Sequence, residues 1–229
     1  TEGFATADKL WSVGKSQPAA CDPLFAMWAA EGQLTEGKRW ERAKLAAQAR
    51  NYGLAENLVK TLTTLAPQGR LLIDVAQKPE LLNQPSRFTQ ADEATSDVVS
   101  LGLRRLARQD PERAMGLLDD YAQRMHFSRD EKVAIAREIG LTLARRYDPR
   151  ALDLMTRYDP ELRDDTVSEW RLRLLLRLGR WEDAYALTKR LSGDLAQSSR
   201  WKYWQARSLE LAQPKNPQVP QLYKAVARE

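Results

Sequence analysis

The chain has 229 residues, 43% of them apolar and 29% charged, a balance that excludes a disordered chain and suits a folded, helix-rich one. That length is long for one compact domain and ordinary for a repeat array, and no uncharged apolar run approaches the roughly 18–20 residues of a membrane-crossing helix. The net charge of +5 is a small excess of 36 basic over 31 acidic side chains, so most charges belong to solvated helix faces rather than to a polyanion-binding surface.

In chain order, residues 4–13 predict the end of a helix stopped at Gly14. Asp22-Pro23 reads as an N-cap followed by proline in the first turn, opening a helix with Leu24, Phe25, Met27 and Trp28 that ends at Gly32. Thr35 is placed to cap the next helix, which carries Trp40, Ala43, Leu45, Ala46 and Ala49. Residues 54–65 predict a helix closed by Pro67. Residues 71–90 are less regular: Leu71, Leu72, Ile73 and Val75 suggest a short helix, but Pro79 and Pro85 interrupt it, marking an irregularity or hinge.

Periodicity returns with Val98, Val99, Leu101, Leu103 and Leu106, and residues 111–125 supply a partner helix. Ser128 and Glu131 form a capping-box pattern for a helix reaching about Tyr147. Asp148-Pro149 and Asp159-Pro160 predict two further helix starts, and Thr166 with Glu169 a second capping box. A helix over residues 180–191 ends near Gly193. Ser198 or Ser199 starts one bearing Trp201, Tyr203, Trp204 and Leu209. The last begins near Val219 and continues to Arg228 and Glu229.

One pattern recurs. In Leu178-Gly179-Arg180-Trp181-Glu182-Asp183-Ala184 a glycine ends a helix, an aromatic residue enters the next, and a small residue three positions on admits a close neighbour. Tyr52 with Ala55, Pro111 with Ala114, and Tyr147 through Ala151 repeat it loosely, the last three copies about 35 residues apart, the period of helix-pair solenoids. With no sustained period-two alternation, the expected fold is all-α: a single domain over residues 1–229 made of about a dozen short helices in a right-handed superhelix of tetratricopeptide-like hairpins, a horseshoe or part of a ring.

Candidate chemistry is sparse. A single imidazole, His126, falls at a helix end beside Phe127, and one histidine with one cysteine cannot make a zinc set. No P-loop, dinucleotide glycine pattern or nucleophile elbow is present, so neither cofactor nor metal is expected. The acid pairs Asp119/Asp120, Asp164/Asp165 and Glu182/Asp183 suggest glycoside chemistry only if one carboxyl is buried, and two of the pairs sit in opening helical turns where negative charge is favoured anyway. Arginines cluster at 104/105/108, 145/146/150 and 171/173/177/180, a stripe for an anionic polymer if aligned and ordinary solvated faces if not. Trp201, Tyr203 and Trp204, with Lys202 among them, are the expected aromatic binding surface for glycan or partner.

Leu10-Trp11-Ser12-Val13-Gly14-Lys15-Ser16-Gln17-Pro18-Ala19-Ala20-Cys21-Asp22-Pro23-Leu24-Phe25 is similar to a segment near the start of the large soluble lytic murein transglycosylases of Gram-negative bacteria. Three further stretches resemble the family in the same order: Trp40 to Ala46, Leu106 to Asp110, and Ser199-Arg200-Trp201-Lys202-Tyr203-Trp204-Gln205-Ala206.

The resemblance implies a periplasmic enzyme that cleaves peptidoglycan between N-acetylmuramic acid and N-acetylglucosamine, leaving 1,6-anhydromuramoyl ends. It also implies a superhelical ring joined to a linker and a lysozyme-like catalytic domain, which carries a glutamate in a Glu-Ser sequence. No glutamate here is followed by serine, so this segment is expected to be a non-catalytic scaffold, a piece of a longer protein, whose partners are peptidoglycan and those other domains. The resemblance further implies that Cys21 pairs with a cysteine upstream of Thr1. Two other readings stay open: a helical-repeat adaptor that binds a protein in its groove, and, less favoured for want of a recognition motif, a nucleic-acid-binding solenoid.

Overall fold

The structure is a computed structural model that describes residues 2–227. The expected continuation of the last helix through Arg228 and Glu229 lies outside the described residues, as does Thr1. Among the described residues there is no strand; 14 α-helices and three short 3₁₀ turns account for the regular structure. No described helix is long and apolar enough to cross a membrane. The chain divides into two compact units, Thr1–Glu131 and Lys132–Glu229.

The first unit holds α1 (Glu2–Trp11), α2 (Asp22–Ala30), α3 (Glu36–Gln48), α4 (Tyr52–Val59), α5 (Ala66–Gln77), α6 (Glu93–Gln109) and α7 (Pro111–Ala122). Its helix starts are written in side-chain oxygens. Thr35 accepts the Lys38 N–H at 3.3 Å, Asp92 the Thr95 N–H at 2.7 Å and Asp110 the Arg113 N–H at 2.9 Å. The box at Ser128 closes reciprocally, Ser128 N–H to Glu131 Oε2 at 2.8 Å and Glu131 N–H to Ser128 Oγ at 3.1 Å.

Two starts differ from the sequence reading. Asp22 is not an N-cap: a 3₁₀ turn over Ala19–Cys21 runs straight into α2, leaving Asp22 in helical geometry (φ −59°, ψ −42°) with Cys21 at the cap position. Pro67 does not close a helix ending at residue 65. Helix α4 stops at Val59, and Pro67 sits in the first turn of α5, where a missing N–H costs nothing.

The irregularity expected over residues 71–90 is a pair of 3₁₀ turns, Pro79–Asn83 and Pro85–Arg87. They are packed rather than loose. Leu82 is fully buried and Phe88 nearly so, Phe88 meets Tyr121 edge-on at 6.0 Å, and the Tyr121 hydroxyl donates to the Leu82 carbonyl at 2.8 Å. Helix α6 is the unit's central rod, burying Val98, Val99, Leu103, Leu106 and Ala107. It carries Gly102 where a Cβ would lie 2.5 Å from Val75 Cγ1 and 2.9 Å from Leu82 Cδ1. Near the chain start, Trp11, Phe25 and Trp28 form an aromatic cluster. The buried Arg42 guanidinium lies 4.2 Å from the Trp11 ring centroid.

Helix α8 (Arg129–Arg145) crosses the boundary, and from Lys132 onward it belongs to the second unit. There follow α9 (Arg150–Tyr158), α10 (Asp165–Arg177), α11 (Trp181–Thr188), α12 (Gly193–Gln197), α13 (Ser199–Ala212) and α14 (Val219–Val226). At three of its four copies the recurring turn is a Schellman cap; before Pro111, Asp110 is at φ −134° and its N–H returns to the Leu106 carbonyl. After α10 the Arg180 N–H reaches the Leu175 carbonyl at 2.9 Å and the Gly179 N–H the Leu176 carbonyl at 3.2 Å, with Gly179 at φ +67°.

The same pair of bonds follows α8, from Asp148 N–H to Leu143 and from Tyr147 N–H to Ala144, with Tyr147 at φ +57°. In the first unit it follows α3 through Asn51 and Arg50. Ala55, Ala114, Ala151 and Ala184, the small residues of the four copies, are all at 0% exposure. Two expected starts move. Asp164, not Thr166, caps α10 by accepting the Val167 N–H at 3.1 Å. Asp159 begins no helix: its carboxylate accepts the Arg163 N–H at 2.9 Å and the Asp164 N–H at 3.1 Å, forming the loop that leads to α10.

Candidate functional site

The second unit offers a cleft of about 510 Å³ between α9, α10 and α11. Leu152, Leu175 and Leu187 give it an apolar floor, and Arg157, Arg171, Arg180 and Arg190 stand against Asp153 and Asp183 around it. Two of these cations are fixed by consecutive backbone carbonyls of the α9–α10 loop. Arg171 Nη1 donates to the Asp159 carbonyl at 2.9 Å, and Arg190 Nη2 donates to the Pro160 carbonyl. Arg171 is only 5% exposed. Burial pushes its pKa below the usual arginine value, the Asp159 carboxylate opposes that, and Arg190 adds to it by like-charge repulsion. Arg180 is paired with Asp183 at 2.7 Å on the rim.

The expected aromatic surface lies on α13. Tyr203 is 43% exposed. Its ring sits edge-on to Trp204 at 5.5 Å and tilted against Tyr223 of α14 at 6.1 Å. Trp201 does not share that surface. It is 3% exposed, and its indole N–H donates to Glu169 at 3.2 Å. Residues two apart on a helix point about 200° from one another, so Tyr203 faces out where Trp201 faces in. That bond also explains why Glu169 makes no capping box. Also on α13, Glu210 accepts from the Tyr223 hydroxyl at 2.7 Å and pairs with Arg207. Burial, then this bond, raises the Tyr223 pKa.

Several arginines of the three clusters are engaged by partners within their own unit. Arg105 works as internal glue, donating to the Tyr52 hydroxyl at 2.9 Å and to the Ala47 carbonyl. Arg150 grips Asp148 through Nε at 3.0 and 3.1 Å, holding the Asp148 carboxyl below its ordinary pKa. Arg177 lies 4.2 Å from the Tyr147 ring centroid and Arg173 pairs with Glu169. Of the acid pairs, Asp164 caps α10 and Glu182 with Asp183 occupies the first turn of α11. His126 is not at a helix end: it is exposed in the loop between α7 and α8, its backbone N–H bonded to Ser96 Oγ at 3.2 Å. Cys21 is a free thiol of intermediate exposure. Among the described residues no group of three or more histidine, cysteine, aspartate or glutamate side chains is placed to hold a metal ion.

The sequence reading singled out Arg171 and Arg180 but not the cleft, and it passed over Arg157, Arg190 and Tyr223. A usable signal was present for Arg171. It falls among Val167, Ser168, Leu172, Leu174 and Leu175 on the buried stripe of α10, where an unpaired solvated arginine does not belong. Arg190 gave none, because its role depends on where residues 159 and 160 lie.

No protein-family model matches the chain. It is 30% identical over 211 residues to the soluble lytic murein transglycosylase of Escherichia coli K12, a match that takes in 90% of this chain and 32% of that protein. The Salmonella typhimurium protein of the same name is 30% identical over 206 residues, 87% of this chain and 31% of its own.

Among solved structures, an inactive mutant of lytic transglycosylase Slt from Pseudomonas aeruginosa superposes with a TM-score of 0.96 at 65% identity, over all of this chain and 37% of that one. The 70-kDa soluble lytic transglycosylase in complex with bulgecin A superposes at 0.76 with 25% identity, again over 37% of its length. The chain spans about a third of the length of these relatives. Over that third, the chain is a homologue of the soluble lytic murein transglycosylases.

Proposed function

We propose that residues 1–229 act as one helical scaffold domain of a periplasmic lytic transglycosylase that cleaves peptidoglycan between N-acetylmuramic acid and N-acetylglucosamine with formation of 1,6-anhydromuramoyl ends. The segment holds the catalytic and linker domains and the glycan strand in place, and the proton-transferring glutamate belongs to the remainder of the protein. The observation that carries this reading is the agreement of the whole chain, at 65% identity and a TM-score of 0.96, with 37% of a lytic transglycosylase. The absence of any Glu-Ser sequence among the 229 residues supports placing catalysis elsewhere.

On this reading Tyr203 and Trp204 are the glycan-facing aromatic pair, since the C–H face of a sugar stacks on the face of an accessible aromatic ring. Trp201 supports them from the core. Cys21, of intermediate exposure at the start of α2, forms its disulfide with a cysteine upstream of Thr1 in the oxidising periplasm.

The test is to incubate the chain alone with purified peptidoglycan sacculi, sediment them, and separate the soluble products. Retention on the sacculi with no released anhydro-muropeptide is expected. Retention several-fold weaker is expected for Tyr203→Ala with Trp204→Ala. Release of anhydro-muropeptide by the chain alone, or no retention at all, overturns the reading.

A further inference from the structure

We propose that the cleft between α9, α10 and α11 is a binding site for the carboxylates of a short zwitterionic peptide, of the kind that peptidoglycan carries as its stem. The inference rests on the scaffold reading for the identity of the peptide, though not for the chemistry of the site.

The site is built from within. Asp159 and Pro160 contribute adjacent carbonyls, each taking one hydrogen bond from a guanidinium, so Arg171 and Arg190 are held side by side. Neither forms a salt bridge among the described residues. A carbonyl satisfies one donor of a guanidinium without neutralising it, and the Asp159 carboxylate, committed to the Arg163 and Asp164 N–H groups, offsets the Arg171 charge without pairing with it. Arg171 is almost wholly buried; burial disfavours its charged form, the Asp159 carboxylate partly relieves that, and Arg190 adds to it. Two cations fixed against their own repulsion stand ready for an anion, which removes that cost on binding. The forked donors of arginine match a carboxylate in two parallel bonds.

The rest of the lining selects among anions. Asp153 and Asp183 bring negative charge to the same opening. They oppose a polyphosphate, whereas a peptide with carboxylates and a free ammonium group satisfies both signs. The floor of Leu152, Leu175 and Leu187 receives aliphatic carbon. A volume of about 510 Å³ lies in the range of small-ligand sites and takes a few residues, not a folded partner.

The probe is the stem tripeptide L-alanyl-γ-D-glutamyl-meso-diaminopimelate, titrated into the isotopically labelled 229-residue chain and followed by amide chemical shifts. Saturable shifts are expected at residues of α9, α10 and α11. The same peptide with its carboxyls amidated is expected to bind at least tenfold more weakly. Arg190→Gln removes the charge at an exposed position, so it is expected to fold while weakening binding at least tenfold. Arg171→Gln is expected to do the same. Should its buried position prevent folding, Arg157→Gln on the opposite wall takes its place. Arg87→Gln, in the first unit and not among the residues that line the cleft, removes the same charge and is expected to bind as the parent does.

Equal binding of the amidated peptide, undiminished binding by Arg190→Gln, or competition by inorganic phosphate at the tripeptide's own concentration overturns the proposal. Sacculus retention without tripeptide binding sinks the cleft and leaves the scaffold reading. Tripeptide binding without sacculus retention does the reverse.

Discussion

Glu36 shows how much one half-buried side chain can organise. Its carboxylate accepts the Thr63 N–H at 2.6 Å and the Leu65 N–H at 3.1 Å, and takes the Thr64 hydroxyl as well. These are donors of the turn that leads into α5, left without helical acceptors by chain geometry. The Thr64 hydroxyl first, then the two backbone bonds, lower its pKa from an ordinary 4.5 to about 2. A carboxyl whose pKa is lower in the fold than in the open chain contributes stability that is fully present above the open-chain value. That contribution is lost as pH falls from about 4.5 through about 2. Urea midpoints measured across this interval are expected to fall for the parent chain, with the gap to Glu36→Gln narrowing toward its acid end. A gap that stays constant with pH counts against the assignment. Nothing in the sequence announced this cap, because Glu36 lies 27 residues from Thr63. The Ser128–Glu131 box was legible, its two bonds being local. Thr166–Glu169 had the same pattern and failed, since Asp164 and the Trp201 indole offered better partners.

At the scale of elements, helix pairs are held at two kinds of place, the turn and the crossing. Turns were readable because a Schellman cap needs a left-handed residue and the close approach of the next helix needs a small one. Gly179 with Ala184 meets both conditions. Arg50 and Tyr147 adopt the same positive φ without being glycine, which is why those copies looked weaker in sequence than they are in space. Crossings were not readable, since they depend on which distant side chain fills the gap. Gly102 on α6 receives Val75 of α5 and Leu82 of the 3₁₀ turn, so α6 approaches both closely. The two prolines that suggested a hinge therefore end in a packed plug. Gly102→Ala places a methyl 2.5 Å from Val75 Cγ1, and overpacking of this kind is expected to cost about 1–3 kcal/mol. Gly116→Ala, within α7 with nothing inside 4 Å of the added carbon, is expected instead to stabilise by about 0.5–1 kcal/mol through helix propensity. Opposite shifts of the urea midpoint check both; a shared sign rejects the crossing argument.

At the scale of the whole molecule, composition and repeat period were enough for an all-α chain, and the four quoted segments were enough for its relatives. The cleft was out of reach, because it is assembled from carbonyls 159 and 160 and from arginines on or beside three helices. The two proposed contacts differ physically, and that difference yields the last prediction. The net charge of +5 and the cleft arginines attract an anionic polymer through water, an attraction that salt screens, the Debye length being about 10 Å at 0.1 M. Contact of a sugar with the rings of Tyr203 and Trp204 is short-ranged and apolar, so salt leaves it nearly unchanged. Retention on sacculi is therefore expected to fall several-fold between about 0.02 and about 0.3 M salt and then to level at a residue that salt does not remove. Tyr203→Ala with Trp204→Ala is expected to abolish that plateau while keeping the slope, whereas Arg190→Gln flattens the slope and keeps the plateau. Retention that falls to nothing with salt in the parent chain removes the aromatic contact from the account. Retention indifferent to salt removes the arginines.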